Sequence, residues 1–315
     1  MMKAAMIFPG QGSQYVGMGK DLVEKFPAVA DLYREADDVL HYPLSRLCFQ
    51  GDPEVLTQTR NAQPAILLHS IAVLGILRDE AGAEPAITAG HSLGEYSALV
   101  AAGVLSPMDA LRIVRRRGEL MFDAGHRQPG TMAAVIGMTR EDVEAVCMEA
   151  TTGDAIVVVA NVNSPMQIVI SGHIDAVGRA MELAGSRGAK KTIQLNVSGA
   201  FHSPLVEPAQ RELVEFLGQF TFKEPAVGLV CNVDAKVIRD TEAIVNALSR
   251  QLTNPVLWSD SMQVLTGGWK GRIMEVGPGT VLSGLMKRTD RSRPVEACGT
   301  AEQLEHLIAV EVEPA

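Results

Sequence analysis

The run Ala89-Gly90-His91-Ser92-Leu93-Gly94-Glu95-Tyr96 sits where the periodicity of the chain changes. Ahead of it, Ala86-Ile87-Thr88-Ala89 is a short apolar run of strand character, and Leu93 to Ala102 behind it reads as a helix. Gly90 and Gly94 bracket Ser92 in the pattern G-x-S-x-G, a nucleophile elbow that holds a serine on a sharp strand-to-helix turn. Small residues two places to either side let strand and helix approach closely. The turn projects the hydroxyl into a cleft and aims the first N–H groups of the helix beside it. Those groups lack intrahelical partners and can stabilise an oxyanion.

Outward from the elbow, strands and helices alternate. A strand at Lys3 to Phe8 leads into the loop Pro9-Gly10-Gln11-Gly12-Ser13-Gln14. Helical patterns follow at Ala28 to Leu40 and Asn61 to Glu80. After the elbow comes a helix from Pro107 to about Ala124, with Ser106 as N-cap and Gly125 expected to close it. This alternation predicts an α/β fold with a mostly parallel sheet covered on both faces. From Thr131 the rhythm changes to strand Met132–Ile136, helix Arg140–Ala150 capped by Thr139, strand Ile156–Ala160, turn Asn163-Ser164-Pro165, strand Gln167–Ser171, helix Ile174–Gly185 and strand Lys191–Leu195. That β-α-β-β-α-β order is ferredoxin-like. It predicts a small subdomain at 129–196 inserted into a catalytic domain made of 1–128 and 197–315, with hinges near Gln128-Pro129-Gly130 and Asn196 to Ala200. Alternation then resumes with helix Pro204–Gly218, strand Val227–Cys231, helix Glu242–Leu252, strand Arg272–Val276 and helix Val281–Arg288. Glu311 to Ala315 are expected to fray.

The composition fits such a domain. The 315 residues are 47% hydrophobic and 4% aromatic, as in compact α/β enzymes. No apolar run approaches the roughly 18 to 20 residues of a membrane span, and the apolar start is too short for a secretory leader. Cys48, Cys147, Cys231 and Cys298 are scattered, with no C-x-x-C pair and no zinc-like spacing to histidine, so reduced cysteines, a cytoplasmic location and no metal are expected. A net charge of −9 argues against nucleic acid as a partner. Positive charge is nevertheless clustered at Arg115-Arg116-Arg117, at Arg187 with Lys190-Lys191, and at Lys287, Arg288, Arg291 and Arg293. Such clusters are either solvated faces or patches for a phosphate-bearing or acidic partner.

A serine hydroxyl needs a base within hydrogen-bond reach. Among the seven histidines, His202 stands in the small-residue loop Ser198-Gly199-Ala200-Phe201-His202-Ser203-Pro204, where the chain re-enters the larger domain and a cleft is expected. His91 adjoins Ser92 and is expected to point elsewhere; His41, His69 and His306 read as structural, and His173 falls in a turn. No aspartate after the elbow sits in a loop leading clearly to the site, so a neutral amide or a backbone carbonyl is expected to orient the base in place of a carboxylate.

Six blocks together carry a resemblance: Gly10-Gln11-Gly12-Ser13-Gln14, Gly90-His91-Ser92-Leu93-Gly94-Glu95, Arg117-Gly118, Asn161-Val162-Asn163-Ser164, Phe201-His202-Ser203 and Gln251-Leu252-Thr253-Asn254-Pro255-Val256. In order and spacing, over almost the whole chain, they resemble the malonyl-CoA:acyl carrier protein transacylases. The resemblance implies an α/β-hydrolase-like large domain with a ferredoxin-like insert. It implies Ser92 as the nucleophile that becomes malonylated, His202 as general base and then acid, and the Gln251 main-chain carbonyl as its orienter. The backbone N–H groups of Gln11 and Leu93 would form the oxyanion hole. Arg117 would bind the malonyl carboxylate, supported by Gln63 and Asn163. A guanidinium takes a carboxylate through two parallel N–H bonds, which a lysine cannot. Helical positions advance by about 100°, so at most one or two of the three consecutive arginines face one cleft; periodicity does not choose among them, and the resemblance selects Arg117. Phe201, beside the base, is expected to line the pocket near the substrate α-carbon.

The activity so implied is transfer of malonyl from malonyl-CoA to the phosphopantetheine thiol of acyl carrier protein for fatty acid synthesis, by a monomer with no cofactor, CoA being part of the substrate. Acyl carrier proteins are acidic, so one of the cationic clusters is expected to dock the carrier. A trans-acting malonyl transferase of a polyketide synthase or of a malonate decarboxylase would carry the same residues. A serine thioesterase or esterase would not need a buried cation, and a non-catalytic carrier-binding protein would not need Ser92 and His202.

Overall fold

In the computed structural model, which describes residues 2–312, the apolar N-terminus forms strand β1, Met2–Phe8. It is followed by β2, Ala83–Gly90; β3, Thr131–Ile136; β4, Val157–Ser164; β5, Gln167–Gly172; β6, Lys191–Gln194; β7, Gly228–Val230; β8, Val237–Ile238; β9, Ile273–Val276; and β10, Glu296–Cys298. Six of these form one sheet in the order β10-β9-β1-β2-β7-β8, parallel except for the β7–β8 pair. Alternate residues of β1 serve opposite faces: Ala4, Met6 and Phe8 join the core that includes helices Thr59–Ala81 and Pro107–Arg127, while Ala5 and Ile7 join the core under helices Trp258–Gly268 and Val281–Thr289. A central strand buried on both faces reads as a continuous apolar run, as β1 does.

The other four strands form an antiparallel sheet in the order β4-β5-β3-β6, the ferredoxin-like order. Ala133, Val135, Ile168 and Ile170 face helices Arg140–Ala150 and Ile174–Ser186, which supply Val143, Val146, Val177 and Ala180 to a separate core. Met132, Ala134, Ala160 and Val169 belong instead to the main core, so one face of the small sheet is laid against the larger part. β4 is tied there by hydrogen bonds between Ala160 and Val162 on one side and Val256 on the other, each 2.9 Å. The fold is therefore α/β with a second, small antiparallel sheet.

Several expected boundaries shift. Helix Pro107–Arg127 runs through Gly125, which is no stop signal: a Cβ there would lie 1.7 Å from the Ser198 carbonyl oxygen, so this glycine admits the loop that leads to His202. The expected helix at Pro204 opens as a 3-10 turn, Pro204–Val206, and becomes α-helical only over Glu207–Leu217. In a continuous helix the ring of Pro208 would clash with the carbonyl of Pro204. Asn163 lies in β4 rather than in a turn, which falls at Pro165-Met166. Helices Lys20–Lys25, Leu44–Gln50, Pro53–Thr57 and Trp258–Gly268, and strands β8 and β10, were not expected. The expectation of fraying at 311–315 is overtaken by helix as far as Val312, and 313–315 lie outside the described residues. Among the described residues no helix is long and apolar enough to cross a membrane.

Candidate active site

β2 ends at Gly90, and the helix Gly94–Ala101 begins four residues later. A Cβ on Gly90 would stand 1.9 Å from the carbonyl of Gly94, and one on Gly94 would stand 2.1 Å from the Phe8 oxygen at the end of β1. Only glycine permits this turn. Between them Ser92 is left-handed, with φ 51°, a conformation that costs a non-glycine residue about 1 to 2 kcal/mol. Asn232, just beyond β7, holds it there: its Oδ1 accepts the Ser92 N–H at 2.7 Å and its Nδ2 donates to the Gly90 carbonyl at 2.6 Å.

His202 shares the left-handed conformation, with φ 56°. Its Nε2 lies 2.8 Å from Ser92 Oγ, while Nδ1 faces the carbonyl oxygens of Gln251 at 3.0 Å and Asn254 at 3.2 Å. Carbonyls only accept, so Nδ1 carries the proton and Nε2 is left bare to take one from the serine hydroxyl. Burial, and next the positive charge of Arg117, push His202 down to about 3, which keeps the imidazole neutral.

Arg117 is fully buried beneath the serine. Gly118 lets its helix cross the start of helix Thr59–Ala81 closely, since a Cβ there would meet Thr59 O and Arg60 Cα at 2.9 Å. This crossing brings Arg117 Nη1 to Gln63 Oε1 at 2.6 Å. Nη2 donates to Gln251 Oε1 and to Ser92 Oγ, both at 3.0 Å. The neighbouring arginines are otherwise engaged: Arg115 pairs with Glu119 at 2.7 Å and Arg116 with Glu212 at 3.0 Å.

These groups border a cleft of about 340 Å³ between the two sheets' parts, lined by Gln11, Gln63, His91, Ser92, Leu93, Arg117, Asn161, Asn163, Phe201 and His202, with Met121, Met132 and Val197 among its apolar walls. Among the described residues no acceptor meets the N–H of Gln11 or of Leu93, so both are free to donate into the cleft. His91 lines the cleft instead of pointing away from it, with Nε2 2.8 Å from Asn163 Oδ1. Sequence reasoning assigned no role to Asn232, or to Asn254 and Glu95 within the quoted blocks; the last is a buried carboxyl that burial pushes up to about 7. Among the described residues no cluster of His, Cys, Asp and Glu is arranged to hold a metal ion.

An elbow serine, a histidine oriented by carbonyls, two free N–H groups and a buried arginine on an α/β scaffold define an acyltransferase, and residues 5–307 match the family model of the acyl transferase domain. Within that class the chain belongs to the malonyl CoA-acyl carrier protein transacylase family. It is 47% identical over 308 residues to the Malonyl CoA-acyl carrier protein transacylase of Bacillus subtilis, covering 98% of this chain and 97% of that protein. The enzyme of that name from Escherichia coli K12 is 44% identical over 288 residues, 91% of this chain and 93% of the relative. Among solved structures, the malonyl-CoA:acyl carrier protein transacylase of Xanthomonas oryzae superposes with a TM-score of 0.94 at 42% identity, over 98% of this chain and 99% of that one. A malonyl-transacylase solved in complex with its type II polyketide synthase acyl-carrier protein gives 0.93 at 41% identity, over 98% of this chain and all of the other.

Proposed function

We propose that this chain moves the malonyl group from malonyl-CoA to the phosphopantetheine thiol of acyl carrier protein through a malonyl-serine ester, supplying fatty acid synthesis. His202 Nε2 takes the proton of Ser92 Oγ as the oxygen attacks the thioester carbon. The N–H groups of Gln11 and Leu93 hold the resulting oxyanion, as preorganised donors in a closed site do. The carbon–sulfur bond then breaks, and the CoA sulfur leaves with the proton from His202. In the second half the carrier thiol gives its proton to His202 and attacks the ester carbon; Ser92 Oγ departs and recovers that proton. No cofactor enters, because CoA is part of the substrate.

The observation that carries this reading is the hydrogen bonding of Arg117. Gln63 and Gln251 each occupy one N–H on a terminal nitrogen of the guanidinium. One N–H remains on each, a fork matched to the two oxygens of a malonyl carboxylate. The second of these points at Ser92 Oγ in the free enzyme, which supports a carboxylate bound beside the nucleophile. Asn163 reaches the same cleft, and Phe201 walls it near the base, where its ring would oppose an α-methyl group.

Two exposed cationic clusters could meet an acidic carrier, Lys190-Lys191, beside an Arg187 that is paired with Glu149, and Lys287-Arg288 with Arg291. The run at 115–117 is not, being taken up by Arg117 and by two ion pairs. The four buried free thiols support a reducing, cytoplasmic setting. Pathway follows from the carrier, and the likeness to a type II polyketide synthase partner enzyme supports that second use of the same chemistry. Partition of the malonyl-enzyme between a holo-carrier thiol and water tests the reading: a transferase passes the group to the thiol faster, and faster hydrolysis would instead define a thioesterase.

A further inference from the structure

A second charged side chain, Glu95, is buried under the elbow beside Arg117, 1% exposed, and takes no part in the steps above. Among the described residues the other fully buried carboxylate, Glu275, has a plainly structural role, accepting the N–H groups of Leu282 and Ser283 and the Ser283 hydroxyl at the start of a helix. Glu95 is bonded differently. Its Oε1 accepts the backbone N–H of Asn232 at 3.3 Å, and its Oε2 accepts Gln251 Nε2. Asn232 clamps the Ser92 backbone, and Gln251 faces Arg117, so one carboxylate anchors both supports of the site.

The Gln251 amide is the sensitive member. It has one acceptor end and one donor end. As placed, Nε2 donates to Glu95 and to the Ser92 carbonyl, the latter at 3.0 Å, and Oε1 accepts from Arg117. Turned over, it would set an N–H₂ group against the Arg117 N–H and an oxygen against two oxygens. In a buried site each such mismatch costs about 1 to 3 kcal/mol.

We infer that Glu95 is a positioning residue for malonyl recognition: by fixing the Gln251 amide it keeps an acceptor against Arg117 and holds toward the substrate carboxylate the two remaining N–H groups of the guanidinium, one of which meets Ser92 Oγ in the free enzyme. The inference rests on the malonyl-transfer reading. Glu95 lies in the first turn of its helix, where the helix dipole favours a carboxylate and offsets part of the burial that raises its pKa.

The test compares acylation of Ser92 by malonyl-CoA and by acetyl-CoA in Glu95→Gln. The variant amide meets two incoming donors with a single oxygen, so Gln251 regains its pairing by turning over. Malonylation is expected to fall about tenfold or more and acetylation by less than about threefold, because only the malonyl group uses the fork. Gln251→Leu, which keeps the main-chain carbonyl facing His202 but also removes the donor to the Ser92 carbonyl, is expected to slow both acylations and to slow malonylation about tenfold more, and the double variant to show no more than the larger single selectivity loss. Should Glu95→Gln not fold, Gln251→Leu makes the same comparison alone. Equal losses for the two acyl groups, or additive losses in the double variant, would overturn the inference while leaving malonyl transfer standing. A wild-type enzyme that takes no malonyl group would overturn that reading, and this one with it.

Discussion

Ser92 and His202 are both held at positive φ, and each is fixed by groups far away in sequence, Asn232 for the serine and the carbonyls of Gln251 and Asn254 for the histidine. Strain of this kind persists only where surroundings over-determine it. Under the proposed function, Arg117 is the residue that distinguishes a malonyl from an acetyl group. Arg117→Ala is expected to impair malonyl transfer by about 2 to 5 kcal/mol while sparing or improving acetyl transfer, since the substrate carboxylate loses a charge-assisted partner in a closed site. Steady-state kcat/KM for both CoA esters checks this, and equal losses would make Arg117 structural. Ser92 was readable in the sequence because its turn demands glycines at fixed offsets, and His202 because it stands in a small-residue loop at a change of rhythm. Gln251, Gln11 and Arg117 needed the six-block resemblance. Asn254 and Glu95 stood inside two of the six blocks without a legible role, and Asn232 in none, because each acts through hydrogen bonds that cross 52 to 140 residues of sequence.

Among the elements, one helix and a loop set the site. Helix Pro107–Arg127 delivers Arg117 midway and, at its far end, packs Gly125 against the loop that carries Phe201 and His202. Gly125→Ala is therefore expected to push Ser198 and its loop outward by more than an ångström, lowering kcat far more than it lowers the thermal midpoint. A misplacement of that size near the reacting groups costs about a hundredfold. Unchanged kcat in the variant would separate the loop from the chemistry. The helix starts at Ser106 and Thr139 were legible to the residue, because their hydroxyls accept the N–H groups of Asp109 and Asp142. Gly125 misled because a glycine that admits a neighbouring backbone and one that ends a helix look alike in sequence. Strands of two and three residues, β8 and β10, are too short to show any period, and helix Trp258–Gly268 ends in two glycines that hid it.

Across the whole molecule, the cores on the two faces of the large sheet and a separate small-sheet core are joined through apolar residues, and the cleft opens where the two parts meet. The alternation of strands and helices announced this architecture, because strands buried on both faces and strands buried on one have different patterns. Stability carries a pH signature from His69, which is fully buried, bonds Gly299 O through Nε2 at 2.9 Å, and is pushed down to about 4 by burial. Its folded pKa lies below the unfolded value, so between about pH 6.5 and 4 the unfolded chain binds a proton that the folded one does not. Stability from this group is intact above that window and falls with acid, by up to about 1.4 kcal/mol per pH unit. His69→Gln, which can still donate to Gly299, should flatten the fall in urea midpoint from pH 7 to pH 5 relative to the wild type; an unchanged slope would assign the acid sensitivity to other groups. For the account as a whole, the direct measurement is intact-mass and peptide mass spectrometry seconds after mixing with malonyl-CoA. A single malonyl adduct on Ser92, absent in Ser92→Ala and formed slowly in His202→Ala, is the result expected. Normal transfer to the carrier by Ser92→Ala, or an adduct on another residue, would contradict the covalent mechanism.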